Sequence, residues 1–139
     1  RIHISGGDTV FSNKLSFTII SVGFSSNIIF RNKAKLNDDI YVTGNLGDSY
    51  VGLSILKKKL SLKKSLNKYF LRKYYLPELH INITKKLLNF ANTSIDISDW
   101  LFADLDKFIN VQKLSYKINL ANVPISRNLN KIIYRYPIF

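Results

Sequence analysis

The amino-acid sequence predicts an α+β fold, and two patterns carry that prediction. Apolar and β-branched residues alternate over short stretches, as they do in strands: residues 15–24, 39–43, 94–97 and 116–120. Elsewhere, after residues 48, 62 and 99, apolar side chains recur at the three- and four-residue spacing of a helix. The predicted strands and helices are mixed without strict alternation, which favours α+β.

The first third of the chain is predicted to contain two turns and two strands. Gly6 and Gly7 form a glycine-rich turn ahead of the strand at 15–24. A polar stretch follows, and the strand at 39–43 ends in a second glycine-containing turn at 44–49. Both strands are therefore expected to be bounded by turns.

Helices are predicted in the middle of the chain. Asp48 begins the first, which has apolar residues on one face. A basic helix over 62–75 is ended by Pro77, because proline cannot continue a helix. A further short helix is expected at 83–91.

The last third is predicted to hold a strand, a helix and another strand. Ser98 and Asp99 follow the buried strand at 94–97 and provide a natural N-cap. The helix that they begin has an apolar face made of Leu101, Phe102, Leu105, Phe108 and Ile109. A strand at 116–120 follows, and the tail from Arg127 has no clear pattern.

The composition limits the class of protein. A chain of 139 residues can bury one core. It has no cysteine, which excludes disulfides and thiolate metal sites. No apolar run approaches the roughly 20 residues that span a bilayer, and no signal peptide follows Arg1. We therefore expect a cytoplasmic protein with no membrane partner. Methionine is also absent, even at position 1, so we expect part of a longer chain.

The charged residues are unevenly used. The net charge is +12, which would suit nucleic acid, but lysine far outnumbers arginine and the densest basic stretch, 57–64, has the spacing of a solvated helix face. We therefore expect no nucleic-acid partner. Of the nine acidic residues all but Glu78 are aspartate, and most lie in or beside predicted turns. Short carboxylates at turns are ligands that Mg²⁺ prefers.

Three motifs occur in a definite order. They are Gly6-Gly7-Asp8-Thr9, the stretch 40–53 that contains Gly-Asn-Leu-Gly-Asp-Ser, and Ser94-Ile95-Asp96-Ile97-Ser98-Asp99. In this order and spacing they resemble thiamine-monophosphate kinases, of the superfamily of aminoimidazole-ribonucleotide synthetase and selenophosphate synthetase. The resemblance runs from about residue 5 to residue 126.

The resemblance implies an activity and its partners. It implies an enzyme, a kinase that transfers the γ-phosphate of ATP to thiamine monophosphate with Mg²⁺ as cofactor and so makes thiamine diphosphate. It also implies a homodimer for the full-length family member. Within the superfamily fold, residues 1–27 would be the end of the N-terminal ATP-binding domain, including its last strand. Residues 28–139 would be part of the C-terminal α/β domain, a mixed sheet with helices on one face.

Site residues follow from the same resemblance. Gly7, Asp8, Arg31 and Ser98 match nucleotide-binding positions, and Asp8, Asp96 and Asp99 match magnesium ligands. No catalytic residue is assigned, because phosphoryl transfer depends on positioning and charge neutralisation more than on covalent participation by the protein.

Simpler interpretations of these residues stay open. Asp99 can be an N-cap, Asp8 a turn residue and Arg31 a surface arginine. Asp48 is expected to cap a helix and not to bind metal. Asp96, flanked by two isoleucines, would need a partner if it were buried.

The chain also departs from the family. Trp100 stands where those kinases have glycine, and its indole could obstruct the nucleotide or be turned aside. An aspartate-rich motif upstream and a Gly-Gly-Glu-Asp segment downstream are missing, so most of the thiamine site is expected to be absent. The alternative function is a non-catalytic remnant, or a basic binding module without kinase activity.

Overall fold

The structure is a computed structural model that describes residues 3–135. The described part of the chain contains five α-helices and one short 3₁₀ helix. In chain order they are α1 (Asp48–Leu56), α2 (Lys64–Tyr75), α3 (Ile81–Leu87), α4 (Leu101–Asn110), the 3₁₀ helix Leu120–Asn122, and α5 (Arg127–Ile133).

The helix predictions are largely confirmed. Helices α1, α2 and α4 lie where the apolar spacing placed them, and α3 covers the first part of the predicted 83–91 segment. α5 begins at Arg127, in the tail for which no helix or strand is predicted. Its N-cap is Ser126, whose hydroxyl accepts a hydrogen bond from the Leu129 amide, so the start of this helix is set by side-chain capping.

The predicted α+β fold with a mixed sheet is wrong. Between residues 3 and 135 no segment forms a strand, and the β-type pairing is a single parallel bridge between Leu46 and Ile125. Residues 15–24, 39–43, 94–97 and 116–119 are irregular, and Leu120, the last residue of the fourth predicted strand, begins the 3₁₀ helix. Alternation shows that a segment has one apolar face, but a strand forms only when a neighbour supplies the hydrogen-bond ladder.

The segment 15–24 shows this most clearly. Its alternating side chains lie in solvent: Leu15 is 87% exposed, Phe17 82% and Phe24 99%. In the described residues it contributes neither a strand nor a helix. Its apolar face is therefore exposed. The sequence pattern indicates that the segment could pair as a strand, but no such pairing is formed in the described residues.

The core lies among α1, α2 and α5. Val51 of α1, Phe70 of α2 and Leu129 of α5 are fully buried, with Leu62 and Ile132 beside them. Burying each such side chain contributes about 1.5–3 kcal/mol. These contacts join the middle of the chain to the end of its described part.

The second motif of the sequence serves this packing. A Cβ on Gly52 would lie 2.4 Å from the Phe70 carbonyl oxygen, so α1 and α2 approach each other at this glycine. Gly47, just before α1, has a φ of 88°, in the left-handed region that favours glycine. A side chain at Gly52 would disturb this helix pair, and a Cβ at Gly47 would lie 2.8 Å from Leu129 of α5.

Helix α4 buries one face. Leu105 and Ile109 are buried on it, whereas Phe102, expected on the same face, is 45% exposed. Its N-cap residue is Trp100, with no side-chain capping bond. The predicted capping by Ser98 and Asp99 is therefore wrong. No helix in the described range 3–135 is long and apolar enough to cross a membrane.

Candidate functional site

Residues 94–100, called here the Asp loop, directly precede α4. Within the loop, Asp96 accepts a hydrogen bond from the Arg31 guanidinium, with Nη2 to Oδ1 at 2.9 Å. The two residues are 65 positions apart in the sequence. Both side chains are about two-thirds exposed, so the pair is open to solvent and to an incoming ligand.

Asp99, at the other end of the loop, is paired with Lys107 of α4. The Lys107 ammonium lies 2.5 Å from Asp99 Oδ2 and 3.4 Å from Asp104 Oδ1. These two carboxylates raise the pKa of Lys107, Asp99 being the chief cause. Two candidate magnesium ligands, Asp96 and Asp99, therefore each hold a protein cation in this structure.

Asp104 lies underneath the loop and is almost completely buried, with 4% of its side chain exposed. Its Oδ2 accepts hydrogen bonds from the amides of both Ser98 and Asp99, at 3.0 Å each. These bonds lower the pKa of the Asp104 carboxyl, and the bond from the Asp99 amide has the largest effect. Burial of the carboxyl opposes them. Asp104 is therefore charged and fixes the backbone of the loop.

A second set of contacts brings Arg31 to the loop. The Gln112 amide donates to the carbonyls of Phe108 at 2.7 Å and Arg31 at 3.3 Å, and its oxygen accepts from the Ala34 amide at 2.8 Å. Thr93, just before the loop, donates to the Phe30 carbonyl at 2.7 Å. The segment that carries Arg31 is thus tied to α4 and to the Asp loop.

A cleft of about 340 Å³ opens beside these residues. Two cationic and two anionic side chains line it together with Ser98 and Phe108: Arg31, Lys107, Asp96 and Asp104. Carboxylate oxygens suit a hard cation, and guanidinium and ammonium groups suit phosphate oxygens. The cleft therefore has the side chains that a metal–phosphate ligand needs.

Gly7 and Asp8 do not share these contacts. Both lie in an exposed segment without helix or strand, and Asp8 Oδ1 accepts a hydrogen bond from the amide of its own neighbour Thr9 at 2.7 Å. Among the described residues no group of three or more His, Cys, Asp or Glu side chains is gathered that could hold a metal ion. The structure thus brings Arg31, Asp96, Ser98 and Asp99 together and leaves Asp8 outside the group.

The donor set nevertheless fits magnesium bound with phosphates. Mg²⁺ keeps several waters and uses one or two protein carboxylates when a polyphosphate supplies the other oxygens. Asp96 and Asp99 provide two exposed carboxylates on one short loop. Both would have to exchange their present cations, Arg31 and Lys107, for the metal.

Trp100 lies at the end of the loop but is not among the residues that line the cleft. Its indole packs against the ring of Tyr50 at 6.1 Å between centroids, with 49° between the planes, and the residue is 67% exposed. The obstruction that the sequence allowed is therefore not seen here, because the ring is turned towards α1.

Another buried polar cluster joins the helices of the core. Asp48 of α1 accepts hydrogen bonds from Tyr69 at 2.8 Å and from Ser126 at 2.7 Å. Burial is the chief cause that raises the pKa of Tyr69. Asp48 was expected to cap α1, but the N-cap is Gly47, so that expectation is wrong. Its role is to connect three helices.

Three residues of the site were missed by sequence reasoning: Asp104, Lys107 and Gln112. Asp104 gave a signal, since it is an aspartate in the first turn of a helix whose neighbours are apolar. Lys107 on α4 and Gln112 in the turn after α4 gave none, because polar residues at such positions are ordinarily solvated. Their function depends on tertiary contacts.

Comparison with known proteins identifies relatives that match almost the whole chain. It is 41% identical over 132 residues to a thiamine-monophosphate kinase of Buchnera aphidicola subsp. Schizaphis graminum. Proteins of the same name from Escherichia coli K12 and Leptospira interrogans are 34% and 32% identical. No family model matches the chain.

The matches cover most of this chain but a smaller part of the relatives. They include 93% of the chain and 41% of the Buchnera protein, so the chain spans about two fifths of the length of the curated relatives that it matches. The resemblance to thiamine-monophosphate kinases predicted from the sequence is confirmed over that part.

Proposed function

We propose that this chain provides part of the nucleotide and magnesium site of a kinase that transfers the γ-phosphate of ATP to thiamine monophosphate. The proposal is supported by the similarity to proteins named thiamine-monophosphate kinase along almost the whole chain. The observation that carries it is the contact between Arg31 and Asp96, which joins two positions of the family pattern at one cleft.

The proposed roles follow from the chemistry of each side chain. Asp96 and Asp99 bind magnesium, which in turn neutralises charge on the polyphosphate. Arg31 moves from Asp96 to a phosphate oxygen, for which its planar fork is well suited. Ser98 contacts the nucleotide from the same loop. Each of these residues is at or beside the cleft.

Gly7 and Asp8 are proposed as the remaining nucleotide and metal contacts. They lie in the exposed segment before residue 27, which we propose belongs to a separate ATP-binding region. For Asp8 to join Asp96 and Asp99, that segment must fold against the Asp loop when the nucleotide binds. Dimerisation, as in the full-length family, remains part of the same proposal.

Isothermal titration with Mg²⁺ and a non-hydrolysable ATP analogue tests the proposal. We expect magnesium-dependent binding by the wild-type chain and loss of binding in Asp96→Asn. The matched control is Asp106→Asn, which removes one charge from an exposed aspartate whose contact is the Tyr116 hydroxyl. Binding that is unchanged in Asp96→Asn contradicts the site assignment.

The same titration separates the proposal from the alternative function. A basic module without kinase activity would bind anions with a steep dependence on salt and would be indifferent to Asp96→Asn. A repeat of the titration with thiamine monophosphate reports how much of the acceptor site this part of the protein holds. Absence of nucleotide binding by a cooperatively melting wild-type chain would support a non-catalytic remnant.

A further inference from the structure

We infer that Asp104 is the positioning residue of the Asp loop: it holds the backbone at Ser98 and Asp99, at the end of the loop that carries the Asp99 carboxylate. The importance of this role for metal binding rests on the proposed function. The contacts themselves do not, because they are made by the protein alone.

The geometry at Asp104 Oδ2 is specific. This single oxygen accepts the amide hydrogens of two successive residues, Ser98 and Asp99, at 3.0 Å each. The two bonds fix the peptide planes on both sides of Ser98. Two amides that converge on one buried carboxylate oxygen form charge-assisted hydrogen bonds, which are stronger than bonds between neutral groups.

The other oxygen of Asp104 influences the Asp99 side chain indirectly, through Lys107. Oδ1 lies 3.4 Å from the Lys107 ammonium, which is also in contact with the Asp99 carboxylate. Asp104 therefore orients both the Asp99 backbone and the cation that now holds its side chain. Since Asp104 is 3% exposed and Asp99 lies at the surface, the buried residue supports the exposed one.

Helix α4 holds the backbone of Asp104 in place. Asp104 lies in the first turn of α4, whose neighbouring residue Leu105 is packed in the interior. Trp100, the N-cap residue, offers no side-chain acceptor to the start of the helix. The carboxylate of Asp104 thus reaches back beyond the N-cap residue to the amides of Ser98 and Asp99, which lie outside the helix.

Amide hydrogen exchange measured by NMR on the purified chain tests the inference without metal or nucleotide. Asp104→Ala removes both acceptor oxygens. Asp104→Asn keeps one oxygen but loses the charge. Asp106→Asn is the matched control on the same helix. We expect the Ser98 and Asp99 amides to exchange about tenfold faster or more in Asp104→Ala, less so in Asp104→Asn, and unchanged in the control.

The rest of α4 distinguishes positioning from general stability. Exchange that rises at Ser98 and Asp99 while Leu105 and Ile109 stay protected supports the inference. Unchanged exchange at Ser98 and Asp99, or an equal rise along the whole of α4, overturns it. If Asp104→Ala does not fold, Asp104→Asn decides, since wild-type exchange at both loop amides in that variant overturns the inference as well.

A second measurement connects the loop to the metal. We expect Asp104→Ala to bind Mg²⁺ with a non-hydrolysable ATP analogue about tenfold more weakly than wild type. Unchanged affinity in a variant whose loop amides exchange faster overturns the role in metal binding. Absence of binding by the wild-type chain contradicts the proposed function instead, and the exchange rates still decide whether Asp104 holds the loop.

Discussion

Single polar side chains decide how the helices of this protein are joined. Asp48 is 4% exposed and receives hydrogen bonds from a tyrosine of α2 and from the serine that caps α5. A buried carboxylate is tolerated only when it is hydrogen-bonded, so each donor has a large effect. Removing the Tyr69 hydroxyl leaves Asp48 with one donor fewer.

Tyr69→Phe is expected to lower the free energy of unfolding by about 1–3 kcal/mol at neutral pH, because it leaves a buried acceptor less satisfied. Urea denaturation followed by circular dichroism measures the change. Tyr116→Phe is the matched control, since its hydroxyl contacts the exposed Asp106. Equal stability of Tyr69→Phe and wild type would show that Asp48 does not need this donor.

The same residue predicts a pH dependence. Burial raises the pKa of the Tyr69 phenol, with Asp48 adding to this and Ser126 opposing it. An unfolded tyrosine ionises near pH 10. The stabilisation is therefore complete below about pH 10 and is lost as the pH rises through the higher folded-state value. The alkaline fall in unfolding free energy should be smaller in Tyr69→Phe, and an identical fall in both proteins would contradict this.

Trp100 provides a test of the cleft. Because its indole packs on Tyr50 and does not line the cleft, we expect Trp100→Gly to leave the affinity for a magnesium–nucleotide analogue unchanged. Glycine is accepted at the N-cap position that Trp100 occupies, so α4 should persist. A gain in affinity, measured by isothermal titration, would show that the ring reaches the nucleotide.

At this scale the sequence predicted candidate site residues, and their binding roles stay predictions. Asp96, Ser98 and Asp99 come from one motif and Arg31 from the wider resemblance, and the structure places them around one loop. Asp104 could not be assigned in the same way, because its role depends on which amides it meets after folding. Sequence patterns identify residues whose chemistry suits a ligand more readily than they identify the residues that hold them in position.

At the scale of elements, the pairing of α1 with α2 depends on close backbone approach. A Cβ at Gly52 would come within 2.4 Å of the Phe70 carbonyl oxygen and 2.8 Å of Tyr74 Cβ. Backbone atoms in helices cannot move aside as a flexible side chain can. This contact therefore outweighs the preference of alanine over glycine in a helix, about 1 kcal/mol.

Gly52→Ala is therefore expected to destabilise the protein by about 1–3 kcal/mol. Denaturant unfolding measures the loss. Gly23→Ala is the control, because nothing lies within 4 Å of a Cβ there, and its effect should stay within about 0.5 kcal/mol. Equal stabilities of the two variants would contradict the close contact between α1 and α2.

Most of the helices, though not α5, were predictable from the sequence, and the strands were not, for one physical reason. A helix satisfies its backbone hydrogen bonds within a single segment, so apolar spacing such as that of α4 is enough to place it. A strand needs a partner in register. The segment 15–24 has the right pattern but no such partner among the described residues, and its side chains stay exposed.

At the scale of the whole molecule, one apolar core joins α1, α2 and α5, and the Asp loop lies at the start of a separate helix, α4. The loop is connected to Arg31 through polar contacts, many of them exposed, and not through that core. In the proposed function, the ion pairs of the loop with Arg31 and Lys107 are the contacts that change when the ligand binds, while the helical core stays intact.

The proposed function requires that a magnesium–nucleotide complex binds at the Asp loop. Mn²⁺ accepts the same oxygen ligands as Mg²⁺ and broadens the NMR signals of nearby amides. The purified chain is titrated with Mn²⁺ and a non-hydrolysable ATP analogue, and with Mg²⁺ as the diamagnetic control. We predict the strongest broadening at the amides of 96–99 and of Arg31. Broadening centred on another part of the chain, or none, would contradict it.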